Sequence, residues 1–249
     1  IEKIGYEYCG EFNIPLHWGF AKRGSIDFNL HVYHEGNPEV ELNLVFRDML
    51  RAHPNYVEEY SALKHQLLDN PSSYQTNRYS FAQYTLKKGL FIKKILNKAE
   101  FTKSRLLFCA ADEEWKEYHR IKKECFFDPI NIKYDPHHAS MSDSNHYHFI
   151  LYGGTTIVAA AHVQFLENND AVLKNLTVDR PFQEEKYDFH MLEKIETWLR
   201  ANLKETLFSY AKKRSLKFYK MNDFIKTIKP NFPIIPTTIL MKKNLNDTD

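Results

Sequence analysis

The chain is expected to fold as a mixed α/β (α+β) protein in two parts, and three features of its sequence lead there. The first hundred residues read as strands followed by helices. The pattern then restarts and runs helix, three-stranded meander, helix, strand, helix, strand, the order of a mixed-sheet α/β sandwich. Composition is that of an ordinary globular chain. Of 249 residues, 43% are hydrophobic and 27% charged, a balance that fits neither disorder nor a fibrous repeat.

The elements follow in order. Residues 1 to 35 read as short strands, with Phe28, Leu30 and Val32 alternating with Asn29, His31 and Tyr33, the period of a half-buried strand. Asn37-Pro38 starts a turn, and Leu42, Val45, Phe46, Met49 and Leu50 recur at helical spacing until His53-Pro54 ends the helix. A second helix is predicted from Asn55 to Leu68 and a third from Ser80 to Ala99. After a boundary near Phe101 to Ser104, separating domains at 1–102 and 103–249, Leu106 to Cys109 reads as a strand. Asp112 is placed to cap a helix carrying Trp115, Tyr118, Ile121 and Cys125 on one face. Asp135 to Asn145 is loop-like. Strands follow at Tyr147 to Leu151, Thr156 to Phe165 and Val172 to Val178, joined at Gly153-Gly154 and at Asn168-Asn169-Asp170. A helix from Phe189 to Asn202, a short strand, a helix from Ala211 to Phe224 and a strand near Ile239 complete the chain.

Charge and cysteine usage narrow the function classes. A net charge of +2 with acids and bases interleaved gives no electrostatic case for nucleic acid. No apolar run approaches the ~20 residues of a membrane span, and no signal-peptide pattern opens the chain. Three scattered cysteines, Cys9, Cys109 and Cys125, form no disulfide framework, which points to a reducing cytoplasm. The chain opens at Ile1 rather than Met, so an upstream piece is expected.

Chemistry concentrates in Val172 to Leu192, VLKNLTVDRPFQEEKYDFHML, where a strand delivers the chain to a helix amino terminus. Such a junction is an anion site, because free backbone N–H groups point outward there. Val178-Asp179, Gln183, Phe218-Tyr219 and Phe224 match, in order and approximate spacing, the motif-A and motif-B regions of the GNAT acyltransferase superfamily. The pattern of that superfamily is a strand ending Val-Asp-Pro, then Gln/Arg-x-x-Gly-x-Gly/Ala, and later Phe-Tyr-x-x-x-Gly-Phe. The resemblance implies a GNAT-like sandwich whose strand amides near Asn175, Leu176, Thr177 and Val178 hold the pantetheine arm of acetyl-CoA or another acyl-CoA. It places Gln183 and Lys186 on the phosphates, and Tyr219 beside the thioester sulfur as general acid for the departing thiolate.

The chain also departs from that pattern. Lys186 and Asp188 stand where the superfamily has glycines, and Glu184 and Glu185 precede them. Glycine lets backbone N–H groups approach a pyrophosphate; side chains crowd it, and carboxylates repel it. Lys212 stands where many relatives carry Asn, within a basic run with Lys213, Arg214, Lys217 and Lys220 that either contacts CoA phosphates or is a solvated helix face. No carboxylate base lies on the strand. His162 reads either as a base taking a proton from an ammonium, directly or through water, or as a strand histidine without catalytic duty. Tyr219 equally reads as a core aromatic, and Gln183 as a plain loop residue.

In the first half, Leu30-His31-Val32, Gly36-Asn37-Pro38-Glu39 and Phe46-Arg47-Asp48-Met49-Leu50-Arg51-Ala52-His53-Pro54 are similar to the signature of the GrpB (UPF0157) family. That resemblance covers about residues 1 to 100 and implies a nucleotidyltransferase-like fold. The paired metal carboxylates of that fold lie early in the domain and are not in this chain, and Glu7 and Glu11 read as solvated. Arg47, Asp48 and Arg51 read as a phosphate or carboxylate site or as an ion-pair network. This half is therefore expected to be a structural or binding module. His137, His138, His146 and His148 invite a zinc reading, but no Cys or carboxylate completes a typical spacing, and no metal is expected. The combined expectation is a truncated GrpB-like domain followed by an N-acyltransferase domain acting on a small-molecule or protein amine. The alternatives are a GNAT-fold binding module without catalysis, or a nucleotidyltransferase-like protein lacking its catalytic motif.

Overall fold

The computed structural model describes residues 1–75, 83–228, 235 and 237–246. It divides into two compact units, residues 1–116 with 152–157, and residues 117–151 with 158–249.

In the first unit, β1 (Glu7–Gly10), β2 (His17–Lys22) and β3 (Phe28–Tyr33) form an antiparallel sheet with β2 in the middle. His17 opposes Tyr33, and Gly19 opposes His31. The alternation expected of β3 is only partly realised: Leu30 and Val32 are half-buried, whereas Phe28 is exposed. α1 (Pro38–Ala52) begins where Asn37 accepts the Glu39 N–H at 3.0 Å and Pro38 supplies a preset φ. Only His53 separates α1 from α2 (Pro54–Leu68), which also starts on a proline. α3 (Gln83–Lys98) follows; its predicted start at Ser80 lies outside the described residues. Phe46, Tyr60 and Phe91 join the three helices through ring contacts of 5.3 to 6.3 Å.

β4 (Ser104–Phe108) carries Arg105, whose guanidinium lies 2.8 Å from Glu39 on α1, both side chains buried. Arg105 also donates to the Gly154 carbonyl at 3.4 Å and lies over the Tyr152 ring. Gly154 has φ 60°, and a Cβ there would press on the Phe101 carbonyl, so the turn requires glycine twice over.

α4 (Asp112–Lys122) leads from the first unit into the second and ends in a π turn at Lys123–Phe127. Asp112 does not make the expected cap. It is the first helical residue, since the Trp115 N–H bonds the Ala111 carbonyl, and Glu114 accepts the N–H groups of Ala110 and Ala111, both at 2.9 Å.

The second unit continues with β5 (His146–Gly153), β6 (Thr156–Phe165), β7 (Asp170–Val178), α5 (Tyr187–Ala201), β8 (Thr206–Lys212), α6 (Leu216–Met221), β9 (Ile225–Lys226) and β10 (Thr238–Asn244). Its strands lie in the order β5-β6-β7-β8-β10-β9. β7 and β8 are parallel and β6–β7 and β8–β10 antiparallel, so the sheet is mixed. Asn168 and Asn169 turn between β6 and β7 with φ of 58° and 59°, a conformation asparagine tolerates well. Trp198 of α5 is buried against Tyr147, Phe149 and Phe165, which fixes α5 to one face of the sheet. The helix expected from Ala211 is shorter: Ala211 and Lys212 finish β8, paired with Ile239 and Thr238. Strand pairing there outweighs the helical spacing of the sequence, and β9 has no clear signal in it. Among the described residues no helix is long and apolar enough to cross a membrane.

Candidate functional site

The site begins where β7 and β8 part. Their parallel pairing runs from Asp170 opposite Thr206 to Leu173 opposite Ser209 and then stops. On its other side β7 stays paired to β6, but with a bulge: His162 opposes Asn175 while Val163 opposes Leu173, leaving Lys174 as the extra residue. A bulge bends its strand, here at the point of divergence. Beyond it, residues 174–178 of β7 and 210–212 of β8 have no mutual pairing. The result is a fork with one strand edge of Asn175, Leu176, Thr177 and Val178 facing the gap.

Ser209 marks the base of the fork. Its Oγ lies 3.0 Å from the Leu173 carbonyl and 2.7 Å from the Tyr219 hydroxyl. Serine has one proton to give. If it goes to the carbonyl, the Tyr219 hydroxyl donates to Ser209. Burial pushes the Tyr219 hydroxyl's pKa up, and the Ser209 contact offsets this in part. Tyr219 is thus a protonated phenol beside the point where the strands separate.

The turn after β7 is held by Asp179. Burial alone would raise its carboxyl pKa, but bonds from Arg120 at 2.6 and 3.2 Å bring it below the usual carboxylate range. Gln183 Nε2 donates back to the Val178 carbonyl at 3.3 Å. Lys186 precedes α5 with φ 55° and ψ 24°, the left-handed conformation for which glycine is suited. A lysine here holds a backbone shape that glycine adopts without strain. Asp188 accepts the Phe189 N–H at 3.0 Å, and burial raises its carboxyl pKa. Lys212 ends β8 with its ammonium over the Phe126 ring.

The opposite face of the sheet carries histidines. Along β5, His146 and His148 alternate with the Tyr147 and Phe149 that meet α5, so they lie on the face away from it. His162 Nε2 is 2.7 Å from His146 Nδ1, and its ring is 4.5 Å from that of His148. His148 donates from Nε2 to the Ser140 carbonyl at 2.8 Å and accepts the Tyr118 hydroxyl at 2.7 Å. Tyr118 in turn accepts from Lys122 at 2.9 Å. Burial, reinforced by the Lys122 charge, holds the His148 pKa down to about 3 and pushes that of His162 far below its ordinary value. Asn175, directly opposite His162, shares this face. Its Oδ1 is buried without a hydrogen-bond partner.

Spacing along the chain does not reveal this cluster. The alternation in His146-Tyr147-His148 was the available signal, and it placed two of the rings. His137 and His138 do not join the ring contacts; His138 bonds Ser140 instead. Among the described residues no group of three or more His, Cys, Asp or Glu is arranged to hold a metal ion. In the first unit, Arg47 grips Asp48 through two bonds of 2.8 and 3.1 Å, the ion-pair alternative for that motif. The buried His17 pairs with His31 at 2.9 Å, a contact with no signature in the sequence.

Residues 1–98 match the family described as GrpB protein. A stretch of 64 residues is 47% identical to the UPF0157 protein YqkA of Bacillus subtilis (strain 168), covering 25% of this chain and 19% of that protein. The chain thus spans about a fifth of the length of the curated relative it matches. Among solved structures, an acetyltransferase of the GNAT family from Staphylococcus aureus Mu50 is 16% identical, with a TM-score of 0.49 over 57% of this chain and 99% of that one. The PaiA N-acetyltransferase from Thermoplasma acidophilum, solved in complex with coenzyme A, is 12% identical, with a TM-score of 0.46 over 57% of this chain and 99% of that one.

Proposed function

We propose that the second unit is an acyl-CoA-dependent N-acyltransferase domain that moves an acetyl group to an amine. The observation that carries this reading is the fork between β7 and β8. A strand edge without a neighbouring strand pairs with an extended chain bearing amides at suitable spacing, and the pantetheine arm is such a chain. Acetyl-CoA supplies an acyl thioester. The edge of Asn175, Leu176, Thr177 and Val178 holds the arm, while Gln183, Lys186 and Lys212 serve the phosphates. Positioning is the main contribution of the protein. As the amine nitrogen bonds the acyl carbon and the carbon–sulfur bond breaks, the Tyr219 hydroxyl gives its proton to the sulfur. His162 has a pKa far below its ordinary value, which makes it too weak a base to take the proton that the amine loses. That proton passes to solvent. We place this chemistry in the cytoplasm.

A second reading has its own observation. Asp188 puts a carboxylate on an N–H of the first turn of α5, where a pyrophosphate oxygen would bind. In that reading the domain keeps the fold and binds no acyl-CoA. Calorimetric titration of acetyl-CoA decides between them. The acyltransferase reading expects micromolar binding and release of CoA thiol when an amine is added. Silence from the natural chain with binding restored by Glu184→Gly/Glu185→Gly/Asp188→Gly would establish the binding module instead.

For the first unit we propose a structural or binding role, supported by the mutual commitment of Arg47 and Asp48.

A further inference from the structure

The acceptor side of the reaction has a chemistry of its own. His146 and His162 are in contact through ring nitrogens 2.7 Å apart, and Asn175 stands on the same face opposite His162. The buried Asn175 Oδ1 has no donor, and a buried acceptor left without one is costly. An N–H from a ligand would satisfy it. Lysine charges are prominent among those that act on these groups. Lys122, His148, His146 and Lys174 act on His162, and Lys122, Lys174, His138 and Asp143 act on His146. Lys122, His146 and His119 act on His148. Asp143 is the one carboxylate in those sets. Lys174, the bulge residue, is exposed and has no carboxylate partner among the described residues.

A site of neutral acceptors beside the Lys174 ammonium disfavours a cationic amine and favours one that carries its own anion. We infer that the acceptor is an amine bearing a neighbouring carboxylate or phosphate: Asn175 Oδ1 accepts its N–H, and Lys174 pairs with its anion. This rests on the acyltransferase reading of the same unit. Polyamines and lysine side chains on basic segments are then poor acceptors.

The test uses the full chain and three matched probes: β-alanine with a carboxylate, O-phosphoethanolamine with a phosphate, and ethanolamine with neither. With acetyl-CoA, CoA-thiol release is expected to show a KM at least about tenfold lower for one or both anionic amines than for ethanolamine, a gap set by the charge pairing. Whichever anionic probe leads identifies the source of the anion. In Lys174→Gln that advantage disappears while the ethanolamine KM and acetyl-CoA affinity stay unchanged. Equal KM values for all three, a preference for ethanolamine, or an advantage that survives Lys174→Gln overturns the inference. Histidine side-chain NMR gives a readout independent of turnover. The anionic amines are expected to shift the His146 and His162 signals in the natural chain and not in Lys174→Gln. If acetyl-CoA does not bind but these shifts appear, the acyltransferase reading fails and the anionic-amine site stands. If no probe shifts them, the site itself is disproved.

Discussion

The Tyr219 hydroxyl lies 2.7 Å from Ser209 Oγ, at the level where β7 and β8 cease to pair. This places a phenol, kept protonated by burial, beside the base of the fork. A general acid is worth roughly 10²-fold or more in rate. Tyr219→Phe is therefore predicted to lower kcat by about that factor with little change in acetyl-CoA affinity. A purely structural tyrosine would instead lose about 1 kcal/mol of stability and leave kcat in place, which stopped-flow turnover and thermal melting together distinguish.

Asp188 sets the electrostatics of the helix start. Its carboxyl pKa is raised by burial, so its charge is removed at a higher pH than for a free aspartate. Above that range it opposes a pyrophosphate; below it, the acid is neutral. Asp188→Asn is expected to bind acetyl-CoA several-fold more tightly than the natural chain at pH 8. The ratio should shrink toward one as pH falls. A ratio independent of pH, measured by calorimetry, would show that Asp188 does not act through its charge.

Arg105 and Glu39 form a buried pair in the first unit. Removing one partner strands the other charge, at a cost of about 3–5 kcal/mol. Glu39→Gln should lower denaturation stability by that order, whereas Glu39→Gln/Arg105→Met should recover much of it. Loss below 1 kcal/mol in the single variant would mean that water replaces the carboxylate.

His148 has a folded-state pKa of about 3 against 6.5 when unfolded. Because the folded form resists protonation, stability is full above pH 6.5 and declines as pH falls from there toward 3. The decline attributable to His148 alone is about 2 kcal/mol by pH 5. Urea denaturation at pH 7 and pH 5 checks this, and His148→Gln should flatten the slope.

Much of this fold is legible along the chain because period and punctuation coincide. Prolines 38 and 54 start α1 and α2, and Gly154 and Asn168-Asn169 mark the turns. The segments that misled are those where tertiary pairing overrides local preference. Ala211 and Lys212 have helical neighbours, yet β10 claims them as strand. Asp112 has the right chemistry for a cap, but the helix starts one residue earlier than that role needs, with the Trp115 N–H bonded to the Ala111 carbonyl. At the site, the residues Gln183, Lys186 and Tyr219 are visible in the sequence. What the spacing hides is that Lys186 adopts the left-handed backbone, at a cost of roughly 1 kcal/mol. Equally hidden is the fork, because strand divergence is a property of two segments 36 residues apart. The histidine face needs three strands and α4 in register before its rings meet.

Hydrogen exchange along β7 tests the central claim most directly. The Asp179 N–H bonds the Val158 carbonyl of β6. By alternation the amides of Asn175 and Thr177 therefore point to β6, and those of Leu176 and Val178 face the fork. An extended pantetheine arm pairing with those two must slow their exchange. Adding acetyl-CoA is predicted to slow exchange at Leu176 and Val178 by at least about tenfold while leaving Asn175, Thr177 and β10 unchanged. Saturating acetyl-CoA with no change in this strand would contradict the account.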